Sequence, residues 1–204
     1  MSALDFEALS LPELEFREEG HLYLLNGLAI PSVTTLMEPL SKKVYGTIDP
    51  AVLEAAAQRG TEVHNACENY AAFGIEDIRP EYQGYLDAFK RWCDTFKPEF
   101  LGTEVRVYHK ILRYAGTADI LCKVKGATTL IDLKTTSSLQ YMLCGVQLEG
   151  YDRAFDSHGV KIEDRAILHL ERGGMYGYTH FNERQESWRV ISALLTIKNY
   201  QDKF

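Results

Sequence analysis

The sequence predicts an α/β protein with a central mixed β-sheet flanked by helices, preceded by an N-terminal β-hairpin and a helical extension. Two observations carry this prediction. Two helical segments opened by proline come first, and three β-type segments, a helix, two strands and a final helix follow them. This order is typical of a layered α/β architecture. We expect a single domain over residues 1–204, with the hairpin and helices in 1–98 and the sheet core in 99–204.

Turn and cap residues predict the N-terminal elements. Residues 16–25 have the pattern of a strand, and Asn26-Gly27 favours a hairpin turn because both residues tolerate positive φ. Pro31 limits the returning strand, and Ser32 can cap a short helix over residues 33–38.

Proline and glycine also bound the longer helices. Pro50 opens a helix that Gly74 stops, and Pro80 opens a second helix that ends near residue 96, before Pro98. The remaining segments are strands near residues 100–109, 113–124, 127–135, 165–171 and 175–181, with helices near residues 137–156 and 183–200.

The composition is that of an ordinary globular chain. The 204 residues include 22 Lys and Arg, 29 Asp and Glu and 46% hydrophobic residues, and the formal net charge is −7. No run of about 18 apolar residues is present, and residues 1–16 lack a signal pattern, so we expect a soluble, cytoplasmic protein with no membrane contact. The acidic balance does not indicate nucleic acid, but a bound divalent metal can supply local positive charge.

The most informative segment is GTADILCKVKGATTLIDLK, residues 116–134. If the turn of a hairpin lies at Lys125-Gly126, Asp119 lies directly opposite Asp132, with Cβ atoms about 5 Å apart. Period-two alternation then places Lys134 on the same face. Because opposed like charges destabilise a sheet, this arrangement favours a cation between the two carboxylates.

This constellation indicates phosphodiester hydrolysis. Two carboxylates suit Mg²⁺ or Mn²⁺, which activates water and offsets charge on a phosphate, while an adjacent amine stabilises phosphoryl oxygens. Two alternatives stay open. Asp119 could simply start a strand while Asp132 and Lys134 form a solvent-facing pair, and a turn of three or more residues would shift the register.

Four short motifs occur in a fixed order along the chain: GTEVH at 60–64, GTAD at 116–119, IDLKT at 131–135 and QLEGY at 147–151. Together they resemble the PD-(D/E)XK nuclease superfamily, and more closely its RecB-like exonuclease branch. The opening segment HLYLLNGLAIPSVTTLM is similar to that of phage nucleases and mitochondrial genome maintenance exonucleases. The resemblance implies a restriction-endonuclease-like fold with the catalytic core in residues 99–204.

The resemblance implies a metal site with Mg²⁺ or Mn²⁺ as the cofactor. Asp119 and Asp132 would be ligands, joined by the backbone carbonyl of Leu133 and by His64. Glu104 is an additional candidate, which could supply a carboxylate or a hydrogen bond to the lysine. Taken alone, His64 could be an ordinary structural histidine, and Glu104 could be a charged residue on an exposed strand face.

The resemblance also implies the catalytic residues. Lys134 would be the catalytic lysine, acting with Asp119 and Asp132. Gln147 and Tyr151, one helical turn apart, would shape the site and contact the substrate. Without the other motifs, Gln147 and Tyr151 could equally be a polar pair at a helix–sheet interface.

Several further residues could have either a functional or a structural role. Arg106, Lys110 and Arg113 could contact phosphates or could serve solubility. Five aromatic residues could stack on bases or could fill the core, and we favour the core: Tyr70, Tyr82, Tyr85, Phe89 and Trp92.

The function that the resemblance implies is a metal-dependent DNA exonuclease acting on single-stranded DNA or DNA ends, in phage recombination or repair. A structure-specific endonuclease and a non-catalytic DNA-binding module are the alternatives. The resemblance leaves room for a homo-oligomer or a recombination partner protein. One RecB-like subgroup holds an iron–sulfur cluster with three cysteines near the C-terminus, but the last cysteine here is Cys144, so no cluster is expected.

Overall fold

The computed structural model describes residues 11–203, and these begin with a small antiparallel sheet. Its strands are β1 (Leu14–Arg17), β2 (Leu22–Leu25) and β3 (Leu28–Ile30), in the order β1-β2-β3. The expected turn at Asn26-Gly27 joins β2 to β3, with positive φ at both residues. Residues 1–10 and 204, which the predicted single domain includes, lie outside the described residues, and the domain boundaries stay a prediction.

The predicted single strand over residues 16–25 is wrong. The chain turns between β1 and β2, where Gly20 and His21 both have positive φ. The hydrogen bond from the His21 N–H to the Glu18 carbonyl closes this turn. The segments on both sides of the turn have the residue pattern of a strand, so the pattern alone predicts one strand. In the structure they are two strands that pair with each other.

Four helices follow on the N-terminal side of the main sheet. They are α1 (Val33–Leu36), α2 (Glu38–Tyr45), α3 (Pro50–Phe73) and α4 (Gln83–Phe96), and a short 3-10 turn at Pro80–Tyr82 leads into α4. Ser32 caps α1 as expected, since its hydroxyl accepts a hydrogen bond from the Thr35 N–H at 3.0 Å. Asp49 caps α3 and Gly74 ends it in the left-handed conformation. Helix α2 was not predicted from the sequence pattern, and none of its residues is buried.

The main sheet has five strands in chain order. They are β4 (Glu99–Tyr108), β5 (Ala115–Val124), β6 (Ala127–Lys134), β7 (Asp164–Leu170) and β8 (Tyr176–His180). Only β6 and β7 are parallel, because a helix connects them, so the sheet is mixed as predicted. The connecting helix is α5 (Tyr141–Ser157), and α6 (Gln185–Gln201) closes the described chain.

Helices cover both faces of this sheet. One face packs through Leu121, Leu130 and Ile167 against α1, α5 and α6. The other packs through Ile120, Ile131 and Leu168 against α3 and α4, where Trp92 and Phe89 are fully buried. The predicted fold class is therefore confirmed. Within residues 11–203, no helix combines the length and the apolar character needed to cross a membrane.

Helix α5 begins three or four residues later than expected. Residues 135–140 form a loop whose carbonyl groups bond outside the helix. The Thr135 carbonyl accepts from Arg59 at 3.4 Å, and the Thr136 carbonyl lies 2.6 Å from His169 Nε2. These contacts come from α3 and β7, so local sequence could not reveal them.

Candidate metal centre and active-site cleft

The β5–β6 hairpin has the predicted register. Leu121 pairs with Leu130 and Lys123 with Thr128, and Lys125 and Gly126 form the turn with positive φ. The ladder ends at the pair Ile120–Ile131, one residue before Asp119 and Asp132. At this end Asp119 Oδ2 accepts a hydrogen bond of 2.6 Å from the Leu133 N–H. The carboxyl groups of both aspartates are thus brought to one buried end of the hairpin.

Asp119 belongs to a three-residue cluster with metal-ligand chemistry. One ligand atom each from His64, Glu104 and Asp119 lies within 4.8 Å of the other two. His64 Nδ1 is 3.5 Å from Asp119 Oδ1. Asp132, expected to share an ion directly with Asp119, lies outside this group and instead places Oδ2 2.6 Å from the Lys134 ammonium. Leu133 contributes its N–H to Asp119, and the role of its carbonyl as a ligand stays a prediction.

Glu104 reaches the cluster through an unusual backbone conformation. Its neighbours Thr103 and Val105 pair with Ile120 and Ala118, so Glu104 lies across from Asp119. Glu104 has a φ of +47° within the strand. Such a conformation costs a non-glycine residue about 1–3 kcal/mol, and it is commonest at functional sites.

The charges in the cluster are incompletely balanced. Burial raises the pKa of Glu104 to about 7, and the nearby Asp119 carboxylate adds to the shift. Burial also acts to raise the pKa of Asp119, but His64, Lys134 and the Leu133 N–H outweigh it and lower that pKa. Burial opposes charge on His64, while Asp119 stabilises its protonated form and raises the pKa overall. Two partly buried carboxylates this close together favour binding of a cation.

Lys134 lies beside the cluster in a chain of polar contacts. Its Nζ donates to Gln147 Oε1 at 3.1 Å, and Gln147 Nε2 donates to the Tyr151 hydroxyl at 3.2 Å. Burial acts against the charge of Lys134, but Asp132 and Asp119 raise its pKa, so it is an ammonium at neutral pH. Burial raises the pKa of Asp132 to about 6 although Lys134 opposes this shift, and Asp119 adds to it. Asp132 and Lys134 of β6 are therefore linked to Gln147 and Tyr151 of α5 by a continuous series of polar contacts.

A cavity of about 510 Å³, here called the polar cleft, opens onto the cluster. His64, Glu104, Asp119, Gln147 and Tyr151 all line it. Of the three basic residues considered for phosphate contact, only Arg106 lines this cleft, with its guanidinium 5.0 Å from the centre of the Phe16 ring.

Part of the polar cleft was missed in the sequence. Thr61, Asn65 and Glu68 of α3 line it together with His64. Their spacing puts them on one helix face, so a polar stripe along α3 was the available signal. Tyr23 and Thr117 also line the cleft, joined by a hydrogen bond of 2.7 Å between β2 and β5. Their approach depends on how the two sheets pack and has no local signal.

The aromatic residues of α3 and α4 are packing residues. Tyr85, Phe89 and Trp92 are buried in the core between the helices and the sheet, and Tyr70 and Tyr82 pack against that core. None of these five lines the polar cleft in the described chain. The core reading favoured from the sequence agrees with this packing.

Replacing Gly116 with alanine is expected to destabilise the protein by about 1–3 kcal/mol. A Cβ at this position would lie 2.4 Å from Cε1 of the Tyr151 ring, which is itself buried. The free energy of unfolding from denaturant titration measures the effect. Gly173→Ala is the matched control, because a Cβ there meets no atom within 4 Å. Equal stabilities for both variants would contradict the close packing of Tyr151 on β5.

Comparisons with known proteins identify similar folds only. No known protein family matches the chain, and no curated protein matches it. Among solved structures, SSO0001 is 18% identical with a TM-score of 0.40, and the match covers 57% of this chain and 56% of that one. A candidate exonuclease from Eubacterium rectale is 13% identical with a TM-score of 0.49, covering 71% and 67%. An alkaline exonuclease from Laribacter hongkongensis is 13% identical with a TM-score of 0.42, covering 79% and 87%.

The Laribacter enzyme has also been solved in complex with dAMP, and that structure is 14% identical to this chain with a TM-score of 0.42. The match covers 84% of this chain and 89% of that one. At these identities and TM-scores, the chemistry of this chain has to be argued from its own residues.

Proposed function

We propose that this protein is a divalent-metal-dependent nuclease that hydrolyses phosphodiester bonds in DNA, acting as an exonuclease on single-stranded DNA or DNA ends. One observation carries the proposal: a half-buried ammonium, Lys134, lies at the same end of the hairpin as a cluster of two carboxylates and an imidazole. The exonuclease mode and the DNA substrate rest on the motif resemblance.

The donor set of the cluster fits a divalent cation. Glu104 and Asp119 offer oxygen ligands of the kind that Mg²⁺ and Mn²⁺ prefer, and His64 adds a nitrogen ligand. Partial burial and the nearby Asp119 carboxylate raise the pKa of Glu104 to about 7, so a cation bound between these two carboxylates would be stabilised by both. We expect these three residues to hold the ion. Asp132, which pairs with Lys134 beside the cluster, would add its negative charge next to the ion.

The cation, Lys134, Gln147 and Tyr151 would have different roles in hydrolysis. A bound divalent cation supplies charge stabilisation to the phosphate. Lys134 is held by Asp132 and Gln147 so that its remaining proton can donate to a phosphoryl oxygen, and its charge opposes the negative charge that grows there. Gln147 positions Lys134, and the Tyr151 hydroxyl fixes the orientation of the Gln147 amide.

End-labelled single- and double-stranded oligonucleotides test the proposal directly. With Mg²⁺ or Mn²⁺ we expect progressive shortening from an end, and a chelator should stop it. Internal fragments without end-shortening would instead identify an endonuclease. Binding without any cleavage would identify a non-catalytic module and refute the nuclease proposal.

Asp119→Asn is expected to weaken Mn²⁺ binding by at least about tenfold. The substitution removes the charge of a carboxylate that belongs to the cluster and also accepts the hydrogen bond from the Leu133 N–H. Isothermal titration calorimetry measures this loss without relying on cleavage. Asp94→Asn is the matched control, since Asp94 is an exposed aspartate on α4. Equal Mn²⁺ affinities for the two variants would exclude Asp119 as a ligand.

A further inference from the structure

A second cavity, of about 320 Å³, lies on the other side of Lys134 and is here called the apolar cavity. Lys134 forms part of its wall, and Thr34 and Gln147 line both this cavity and the polar cleft. The two spaces therefore adjoin at Thr34 and Gln147, and Gln147 accepts a hydrogen bond of 3.1 Å from the Lys134 amine that we place on the phosphate. An occupant of the apolar cavity that contacts Lys134 would lie close to that phosphate.

Three helical segments shape the apolar cavity. The first wall is one face of α2, formed by Met37 at its N-cap and by Ser41 and Tyr45, each four residues further on. The second wall is one face of α3, formed by Leu53, Ala56 and Ala57. The third wall is the β6–α5 loop and the first turns of α5, which contribute Thr136, Leu139, Gln140, Leu143 and Cys144. The two alanines leave the space open, because their side chains are short. Helix α2, which has no buried residue of its own, thus presents one face to this cavity.

The walls define the chemistry of an occupant. Among the residues of the described chain that line the cavity, Lys134 alone is charged, and its amine donates to Gln147, which lines both spaces. Met37, Leu139 and Leu143 are apolar and Tyr45 is aromatic, while Ser41, Thr136 and Gln140 offer hydrogen-bonding groups. Such walls disfavour a charged sugar-phosphate backbone and suit a flat, uncharged ring with polar edges.

We propose that the apolar cavity receives one unpaired nucleobase, that of the nucleotide whose phosphate contacts Lys134. This inference rests on the proposed nuclease function and names its substrate class. A volume of about 320 Å³ is at the lower end of the range for ligand cavities, about 300–1,000 Å³, so it has room for a single base. A base in a duplex would have to leave its partner and its stack to enter.

Tyr45 is the residue that best reports such a base. Its ring lines the cavity, where burial raises the pKa of Tyr45 and nearby Lys134 opposes that shift. Base–aromatic stacking is tolerant of sequence, since every base has a π-face. The proposal therefore predicts a preference for unpaired nucleotides at one position and no preference among the four bases.

Fluorescence of 2-aminopurine tests the cavity without cleavage. Single-stranded oligonucleotides that carry this base at successive positions are mixed with the protein in the presence of a chelator, which removes divalent metal and so prevents cleavage. We expect a strong fluorescence change at one position only, retained in Tyr45→Phe and lost in Tyr45→Ala. Tyr141→Ala is the matched control, because Tyr141 is an exposed tyrosine that lines neither space. A change of the same size at every position, or in both alanine variants, would overturn the proposal.

A series of oligonucleotides with a single abasic nucleotide gives a second, quantitative test. At the same position we expect wild-type affinity to fall by about 5- to 100-fold, which corresponds to the loss of one stacked base. Tyr45→Ala should show a much smaller fall there, because its stacking partner is already absent. Affinities independent of the abasic position would refute the base site.

These experiments separate the two proposals. If oligonucleotides are cleaved with metal but neither position-dependent signal appears, the nuclease function stands and the base site is refuted. If the position-dependent signals appear without cleavage under any metal, the cavity binds a base and the nuclease function is refuted.

Discussion

Lys134→Met is expected to lower the rate of DNA cleavage by about 10²–10³-fold or more, the usual effect of removing a group that stabilises charge in a transition state. The methionine keeps most of the apolar stem of Lys134 and removes its ammonium. Gln147 then loses its contact at 3.1 Å, and nothing in the described chain replaces the charge. Single-turnover cleavage of a labelled single strand at saturating enzyme measures the loss.

A structural effect of this variant can be separated from a catalytic one. Asp132 is 2% exposed and is paired with Lys134 at 2.6 Å, so losing the amine leaves a buried carboxylate without its partner. The double variant Lys134→Met with Asp132→Asn removes that unpaired charge. We expect it to recover stability without recovering activity.

The matched control for Lys134→Met is Lys123→Ala, on the same hairpin. Lys123 pairs with Glu99 near the surface, 3.1 Å away, and lies at the turn end of β5. We expect near wild-type cleavage from it. Activity of Lys134→Met within a few-fold of this control would remove the lysine from the mechanism.

Glu149→Ala is expected to destabilise the fold by about 3–5 kcal/mol, because it removes the nearer carboxylate partner of a fully buried guanidinium. Glu149 on α5 pairs with Arg165 on β7, and both side chains have no exposed surface. Arg165 also donates to the Phe181 carbonyl at 3.2 Å and lies 3.6 Å from Asp152. These contacts hold the helix that carries Gln147 and Tyr151 against the sheet.

Thermal unfolding measures this effect, with an expected fall in Tm of about 6–20 °C for a domain of this size. Glu15→Ala is the matched control, since it breaks an exposed ion pair with Arg17, and exposed pairs contribute little to stability. The double variant Glu149→Leu with Arg165→Leu should regain much of the lost stability. A single variant as stable as the control would show that the buried pair does not hold α5.

Much of the candidate site could be read from local sequence. The turn at Lys125-Gly126 set the pairing of β5 with β6, because a two-residue hairpin turn leaves one register that buries both apolar faces. Gln147 and Tyr151 are one helical turn apart and do contact each other. Such predictions succeed because the partners are joined by a short stretch of regular backbone.

The surroundings of Asp119 could not be predicted from short-range pattern alone. Strand register predicted Asp132 opposite Asp119, and only the motif resemblance indicated His64 and Glu104, which the structure brings from α3 and β4 to Asp119. Glu104 reaches that position through a positive φ, which its residue type does not predict. Asp132 is drawn to Lys134 two residues away on the same strand.

By itself, the sequence determined the order of elements, the mixed-sheet architecture and the hairpin that carries Asp119, Asp132 and Lys134, because turns, caps and apolar periodicity act over a few residues. Only the tertiary structure decided that His64, Glu104 and Asp119 come within 4.8 Å of one another while Asp132 pairs with Lys134, and that α2 closes the apolar cavity beside Lys134. Those contacts join residues far apart in the chain, and their geometry depends on how the helices pack on the sheet.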